Sequence, residues 1–196
     1  MKDSQIREAL KNKIFSRYVD TNTLILEEVN ILHGAARIDM MVVNGILHGY
    51  ELKSDQDNLQ RLPEQIKIYS SVFDRVTLVV GYRHAYSALK VIPEWWGVKL
   101  AEVGTRGAIH FSDARNPKNN PSLDAISLAQ LLWKGEALSL LEEMGEAKGV
   151  RSKPRSVIYA KLVKVCTIDF LHTKVVQMFR LRNGLRSDVL LTPSDG

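Results

Sequence analysis

In "SQIREALKNKIFSRY" the apolar residues Ile6, Leu10, Ile14 and Tyr18 recur every four positions, the spacing of one helix face. Residues 4–18 are therefore predicted as an amphipathic helix. The period then changes. "TLILEEV" (23–29) reads as a strand, and "RIDMMVV" and "ILHGYELK" read as two more, joined at Asn44-Gly45, a strong hairpin signal. "NLQRLPEQIKIYSSVF" (58–73) returns to helical spacing. Pro63 is expected to start or kink that helix, because proline lacks the N–H and fits best in a first turn. "RVTLVVG" (75–81) is a continuous apolar run of the kind buried on both sheet faces. A short helix near 84–91, a strand in "PEWWGVKLAEV" and a further candidate strand in "GAIHFS" follow.

"SDARNPKNNPS" (112–122) is dense in turn formers and marks the best boundary. Beyond it the pattern is helical throughout. "SLDAISLAQLLWKGEALSLLEEMGEA" has Ser122 as its expected N-cap, and "KPRSVIYAKLVKVC" and "TIDFLHTKVVQMFRLR" supply two more helices. The polar tail from Asn183 is expected to fray. The resulting division is a core at 1–113, a helical region at 122–183 packed on it, and a tail at 184–196. The element order predicts an α/β core with a helical C-terminal portion.

Composition narrows the class. The chain has 196 residues, 45% apolar and 25% charged, which suits a globular protein of one good-sized domain. No apolar run approaches the roughly 20 residues that span a bilayer, and "MKDSQIREAL" lacks the apolar core of a signal peptide. Cys166, the single cysteine, has no partner for an internal disulfide, and a cytoplasmic protein without membrane association is expected. No CxxC or HExxH zinc pattern occurs, and no small-molecule cofactor is expected. Charge is uneven. Residues 1–113 hold 14 basic and 14 acidic side chains, whereas Lys148 to Arg186 carry ten Lys or Arg against one acid, Asp169. Such a segment suits a phosphate-rich partner; a solvated basic helix face gives the same composition.

Within the hairpin, Asp39, Glu51 and Lys53 interrupt otherwise apolar strands. Burying a carboxylate is costly unless it is paired or binds a metal. Glu51 and Lys53 are two residues apart and share a strand face, with Asp39 on the neighbouring strand. Two carboxylates and an ammonium could hold Mg²⁺ (or Mn²⁺) through oxygen ligands, or form a structural ion pair. Register decides between them. A two-residue turn at Asn44-Gly45 pairs Tyr50 with Asp39 and sends Glu51 to the other face, so the site requires a three-residue turn or a bulge near Gly49. Gln65 and Tyr69 form an i,i+4 pair on the helix that follows.

Asp39, then "ELK" as a Glu-x-Lys element, then "QIKIY" as Gln-x-x-x-Tyr, resembles the PD-(D/E)XK nuclease superfamily, in its RecB-like and lambda-exonuclease-like branch. The resemblance covers roughly Ile6 to Val103. "LHGAARIDMMVVNGILHGYELKSDQDNLQRLPEQIKIYSSVFDRVTLVVG" and "PEWWG" also look like a group of uncharacterised bacterial proteins placed there, with the similarity running through the helical C-terminus. It implies a restriction-endonuclease-like mixed sheet flanked by helices and a Mg²⁺-dependent nuclease that hydrolyses DNA. A non-catalytic nucleic-acid-binding protein, or a subunit of a larger complex or homo-oligomer on the same fold, is the alternative. By position Asp39 and Glu51 become metal ligands, the Leu52 carbonyl a backbone ligand, Lys53 the water-orienting base or charge stabiliser, and Gln65 and Tyr69 braces. Ile38 stands where the superfamily's name has proline. A further acid is usual, and Glu8 on the first helix is preferred to Glu28 on the first strand.

Arg37 and Arg61 flank this site, and Arg151, Lys153 and Arg155 cluster before a proline-started helix; all five are expected to contact phosphates, solvation being the alternative. His33 reads as a loop histidine, His48 as structural, Cys166 as core, and "PEWWG" as a buried corner rather than a stacking platform.

Overall fold

The computed structural model describes residues 1–18 and 23–190, with only the backbone for Arg17 and residues 185–190. By internal contacts the chain divides into two compact units, one spanning Met1–Leu123 and the second beginning at Asp124.

The first unit is an open mixed sheet with helices. After α1 (Asp3–Lys13) and a 3₁₀ turn (Phe15–Tyr18) come β1 (Leu24–Ile31), β2 (Ala36–Val43) and β3 (Leu47–Lys53), then α2 (Leu62–Val72), β4 (Arg75–Gly81), α3 (Tyr82–Leu89), β5 (Gly97–Val103) and β6 (Ile109–Arg115). The sheet order is β1-β2-β3-β4-β5-β6. The β3–β4 and β4–β5 pairs are parallel, and the rest antiparallel. Each parallel pair is joined through a helix, as parallel strands require. The predicted mixed α/β sheet with a helical C-terminal portion is therefore present, and the candidate strand in "GAIHFS" is a sixth strand that starts at Ile109, two residues later, and runs on to Arg115.

Strand alternation sorts the hairpin into two faces. Met40, Val42, Tyr50 and Leu52 pack with Ile6, Leu10 and Phe15 beneath α1. The intervening residues, Asp39, Met41, Gly49, Glu51 and Lys53, point the other way, where Tyr69 of α2 reaches Glu51. The pairing settles the register. Met40 faces Tyr50, Met41 faces Gly49, Val42 faces His48 and Val43 faces Leu47. The turn is thus Asn44-Gly45-Ile46, one residue longer than the minimal hairpin, with Gly45 in the left-handed region at φ 71°. Carried one step further, this register sets Asp39 opposite Glu51.

In the second unit the long helical stretch after Ser122 breaks in two. α4 (Ala125–Ala129) is capped by Asp124, whose side chain accepts from the Ser127 N–H at 2.6 Å; Ser122 is not the cap. α5 (Lys134–Glu143) follows, then α6 (Arg155–Val165) and α7 (Ile168–Leu190). α7 continues beyond the predicted fraying point at Asn183, and residues 191–196 of the predicted tail lie outside the described residues. Leu128, Leu140, Leu141, Ile158, Leu162, Leu171 and Val175 are buried, and the Tyr159 hydroxyl donates to the Leu132 carbonyl at 2.8 Å.

Candidate functional site

A cleft of about 400 Å³ opens where α1, the β2–β3 hairpin and α2 meet. Glu51, buried to 2% exposure, forms its floor. Its Oε1 accepts from Lys53 Nζ at 2.6 Å and from Gln65 Nε2 at 2.7 Å, and its Oε2 accepts from the Tyr69 hydroxyl at 2.9 Å. Gln65 and Tyr69 lie one helical turn apart on α2, which is why both reach the same carboxylate. The Tyr69 hydroxyl also lies 2.9 Å from the Arg37 carbonyl, so one proton is shared between two acceptors. Burial and the neighbouring Glu51 push the Tyr69 hydroxyl far above its ordinary pKa, so it is a donor at every accessible pH. Gln65 Oε1 is buried with no hydrogen-bond partner.

Asp39 stands at the side. Its Oδ2 accepts from the Leu52 N–H at 2.8 Å, tying the two strands beyond the last ladder pair. Its pKa is pushed up to about 7, first by burial and then by the charge of Glu51; the Leu52 N–H and Lys53 oppose this. α1 contributes Arg7, which lies 2.5 Å from Glu28, 3.1 Å from Asp3 and 3.3 Å from Asp39. Burial lowers the Arg7 pKa, but the acids Asp3 and Glu28 outweigh it and the net direction is up. Glu28 has φ 53°, an uncommon backbone for a non-glycine residue inside a strand, and it is missing from the β1–β2 ladder between the Glu27–Met40 and Val29–Ile38 pairs. Local strain of this kind persists only where the surroundings impose it. Here its carboxylate is held between Arg7 and Arg37, whose Nε lies 2.6 Å away but off the hydrogen-bond direction.

The structure therefore gathers Asp39, Glu51, Leu52, Lys53 and Gln65 in one cleft, with Tyr69 on the Glu51 carboxylate behind it and Arg37 and Arg61 on the rim. Glu8 is set apart, exposed on the outer side of α1 beside Lys11 and Asn12. The acids that join from the same region are Asp3 and Glu28. The signal was available: Ile6 and Leu10 mark the inward face of α1, and helical geometry puts Glu8 about 200° from both, while Asp3 and Arg7 flank that face. Arg151, Lys153 and Arg155 are exposed in the second unit, where Arg151 pairs with Glu142 at 3.1 Å. His33 lies in the exposed β1–β2 turn. His48 is held 2.9 Å from the Thr77 hydroxyl and stacked on Tyr50, with its pKa lowered to about 3 by burial and then by Arg75. Trp96 is fully buried against Tyr69, whereas Trp95 is half-buried. Cys166 is half-buried, its Sγ 3.7 Å from Met144 Sδ.

Whether these residues suit a metal depends on the donors. No group of three or more His, Cys, Asp or Glu side chains converges on one point among the described residues, so there is no preformed cage of the kind zinc takes. Two carboxylates beside a main-chain carbonyl are the donor set of a hard cation that keeps several waters, as Mg²⁺ does. The lining also holds six carboxylates (Asp3, Glu28, Asp39, Glu51, Asp57, Glu64) against four cations (Arg7, Arg37, Lys53, Arg61). An excess of negative charge favours a cation there. The residues fit a hydrated divalent ion.

Fold and cleft together define an α/β protein with an ion-paired acidic cleft on a β-hairpin. The chain belongs to the bacteriophage P4 protein cII family, whose model matches residues 1–192. It is 25% identical to "Protein cII" of Enterobacteria phage P4 over 145 residues, 74% of this chain and 54% of that protein, so the chain spans about half the length of this curated relative. This match overturns the PD-(D/E)XK assignment. The family shown over nearly the whole chain is a phage cII family and not a nuclease family, and the expected DNA hydrolysis, with the catalytic roles given to Lys53, Asp39, Glu51, Gln65 and Tyr69, loses its basis. The likeness to bacterial members of that superfamily gives way with it.

No helix among the described residues is long and apolar enough to cross a membrane.

Proposed function

We propose that this chain binds DNA and that the cleft holds one Mg²⁺ (or Mn²⁺) against which a backbone phosphate docks. The observation that carries the reading is the three-residue turn at Asn44-Gly45-Ile46, which brings Asp39 and Glu51 onto one face beside Lys53. Asp39, Glu51 and the Leu52 carbonyl would hold the cation, and Tyr69 and Gln65 fix the Glu51 carboxylate in place. When bound, the cation supplies positive charge and open positions for phosphate oxygens. Lys53 offers an ammonium beside that point, and Arg37 and Arg61 supply rim charges that suit the flanking phosphates. With acids in excess, the bare cleft repels phosphate, so docking there depends on the cation. Arg151, Lys153 and Arg155 add sequence-independent attraction for backbone. A cytoplasmic setting accords with the single cysteine.

The test is fluorescence anisotropy of labelled duplex DNA at constant ionic strength, with Mg²⁺ or with EDTA. Wild-type chain should bind more tightly with Mg²⁺, and Asp39→Asn and Glu51→Gln should lose that increment. Equal affinity in Mg²⁺ and EDTA, with both variants matching wild type, would overturn the reading.

A further inference from the structure

Helix α3 and the residue after it, "YRHAYSALK", contain Arg83 and Lys90 and no acid. Ala88 is the residue buried there, while Tyr82 is 56% and Tyr86 72% exposed, with Leu89 and Val91 also open. With Leu89 and Val91 beside them, the two rings make a contiguous exposed patch rather than scattered single residues. They lie one turn apart, on one side of the helix. Lys90 Nζ sits 4.2 Å over one face of the Tyr86 ring, so a base would stack on the opposite face with that cation behind the ring.

The patch is tied to the cleft through a short loop. Lys53 ends β3, and Asp55 and Asp57 follow it; Asp57 lines the cleft. Asp55 contacts the start of α3, where its carbonyl accepts from Arg83 Nη1 at 3.2 Å. The approach is close: a Cβ on Gly81 would clash with the Asp55 carboxylate, whose Oδ1 accepts from the Arg83 N–H at 3.4 Å. The loop from Lys53 through Asp55 thus joins the cleft wall to the first turn of α3, which carries Tyr82 and Arg83.

We infer that Tyr82 and Tyr86, with Arg83 and Lys90, form a stacking platform for the unpaired bases of a single-stranded nucleic acid whose phosphate is seated in the cleft. Four residues of helix rise about 6 Å, wider than the ~3.4 Å per nucleotide of a duplex strand. The rings therefore suit bases drawn apart in an extended strand. Paired bases present no free face to them, so the platform selects single strands. Charge favours nucleic acid over an uncharged apolar partner, because Arg83 and Lys90 flank the rings and α3 itself has no acid, against the Asp55 carboxylate at its first turn. The inference rests on the cleft reading for the position of the phosphate.

The experiment uses the full chain and a short fluorescein-labelled oligothymidylate, alongside a labelled duplex, both with Mg²⁺. Tyr82→Ala/Tyr86→Ala should weaken oligothymidylate binding by roughly five- to a hundredfold for each ring that stacks, and leave duplex binding unchanged. Tyr82→Phe/Tyr86→Phe should restore it, since the ring and not the hydroxyl stacks. Both pairs are exposed, and unchanged thermal unfolding would confirm an intact fold. Unchanged oligothymidylate binding in the alanine pair, an equal loss on duplex, no binding by wild type, or a change in oligomeric state that marks the face as a protein interface would each overturn the inference. The cleft reading fails separately, by loss of the Mg²⁺ dependence on duplex and of the Asp39→Asn effect.

Discussion

Replacing Asp39 by asparagine should make the protein more stable at neutral and alkaline pH. The side chain is only 20% exposed, and its pKa is pushed from an ordinary 3.8 to about 7, mainly by burial and then by Glu51. Arg7 lies 3.3 Å from Asp39 Oδ1, farther than from Glu28 or Asp3, so its charge is shared among three acids. A rise of roughly three units, at about 1.36 kcal/mol each, gives about 4 kcal/mol between charged and neutral Asp39 in the folded chain. The folded state holds this proton more tightly than the unfolded state. Its contribution is therefore fully present below pH ~4, is lost as pH rises towards about 7, and stays lost above that. The asparagine side chain carries no charge and can still accept from the Leu52 N–H. The variant should lose this decline and gain about 2 kcal/mol at pH ~8, less than the full amount because its amide N–H₂ faces Arg7. Urea denaturation of both proteins across that pH range measures the difference, which cancels titrations common to both. Mg²⁺ at a hundred times its Kd should return about 2.7 kcal/mol to wild type and nothing to the variant. An Asp39→Asn chain less stable than wild type at pH ~8, or a difference that does not vary with pH, would refute the assigned charge state.

Tyr69→Phe removes the donor to Glu51 Oε2 and should lower the unfolding free energy by about 1–3 kcal/mol, read by urea denaturation, with weaker Mg²⁺ binding by calorimetry. Gly45→Ala places a Cβ at φ 71° and should destabilise the hairpin by about 1 kcal/mol, read as a lower Tm with the fold retained. Charge reversal at Arg151, Lys153 and Arg155 together should weaken duplex binding and lower the slope of log K against log salt by about 2.7, with the Mg²⁺ increment at the cleft unchanged. An unaltered slope would mean that none of the three contacts a phosphate.

The hydrophobic pattern by itself determined the helices and strands of the first unit, but not the break between α4 and α5. Period-four spacing in α1, the apolar run of β4 and Pro63 in the first turn of α2 were legible because burial and backbone chemistry act within a few residues. Gln65 and Tyr69 were legible as a pair for the same reason. The register of the hairpin was not, because Asn44-Gly45 suits a two-residue turn locally. The match of β3 to both β2 and β4 and the packing of Met40, Val42, Tyr50 and Leu52 under α1 accompany a three-residue turn instead. One residue in that turn decides whether Asp39 and Glu51 share a face.

Charge shows the same division. Counted along the chain, Lys148 to Arg186 look strongly unbalanced, yet in the fold Arg151, Lys161, Lys174 and Arg182 each meet a glutamate from residues 136–146. Composition counts charges along a line, whereas pairing depends on which helices lie side by side. The role of Arg7 was likewise invisible, since its partners Glu28 and Asp39 stand 21 and 32 residues away and reach it only once α1 lies across the sheet. Motif spacing could propose a set of carboxylates, but which acids converge, and which cation already sits among them, depends on contacts between distant segments that only the folded chain makes.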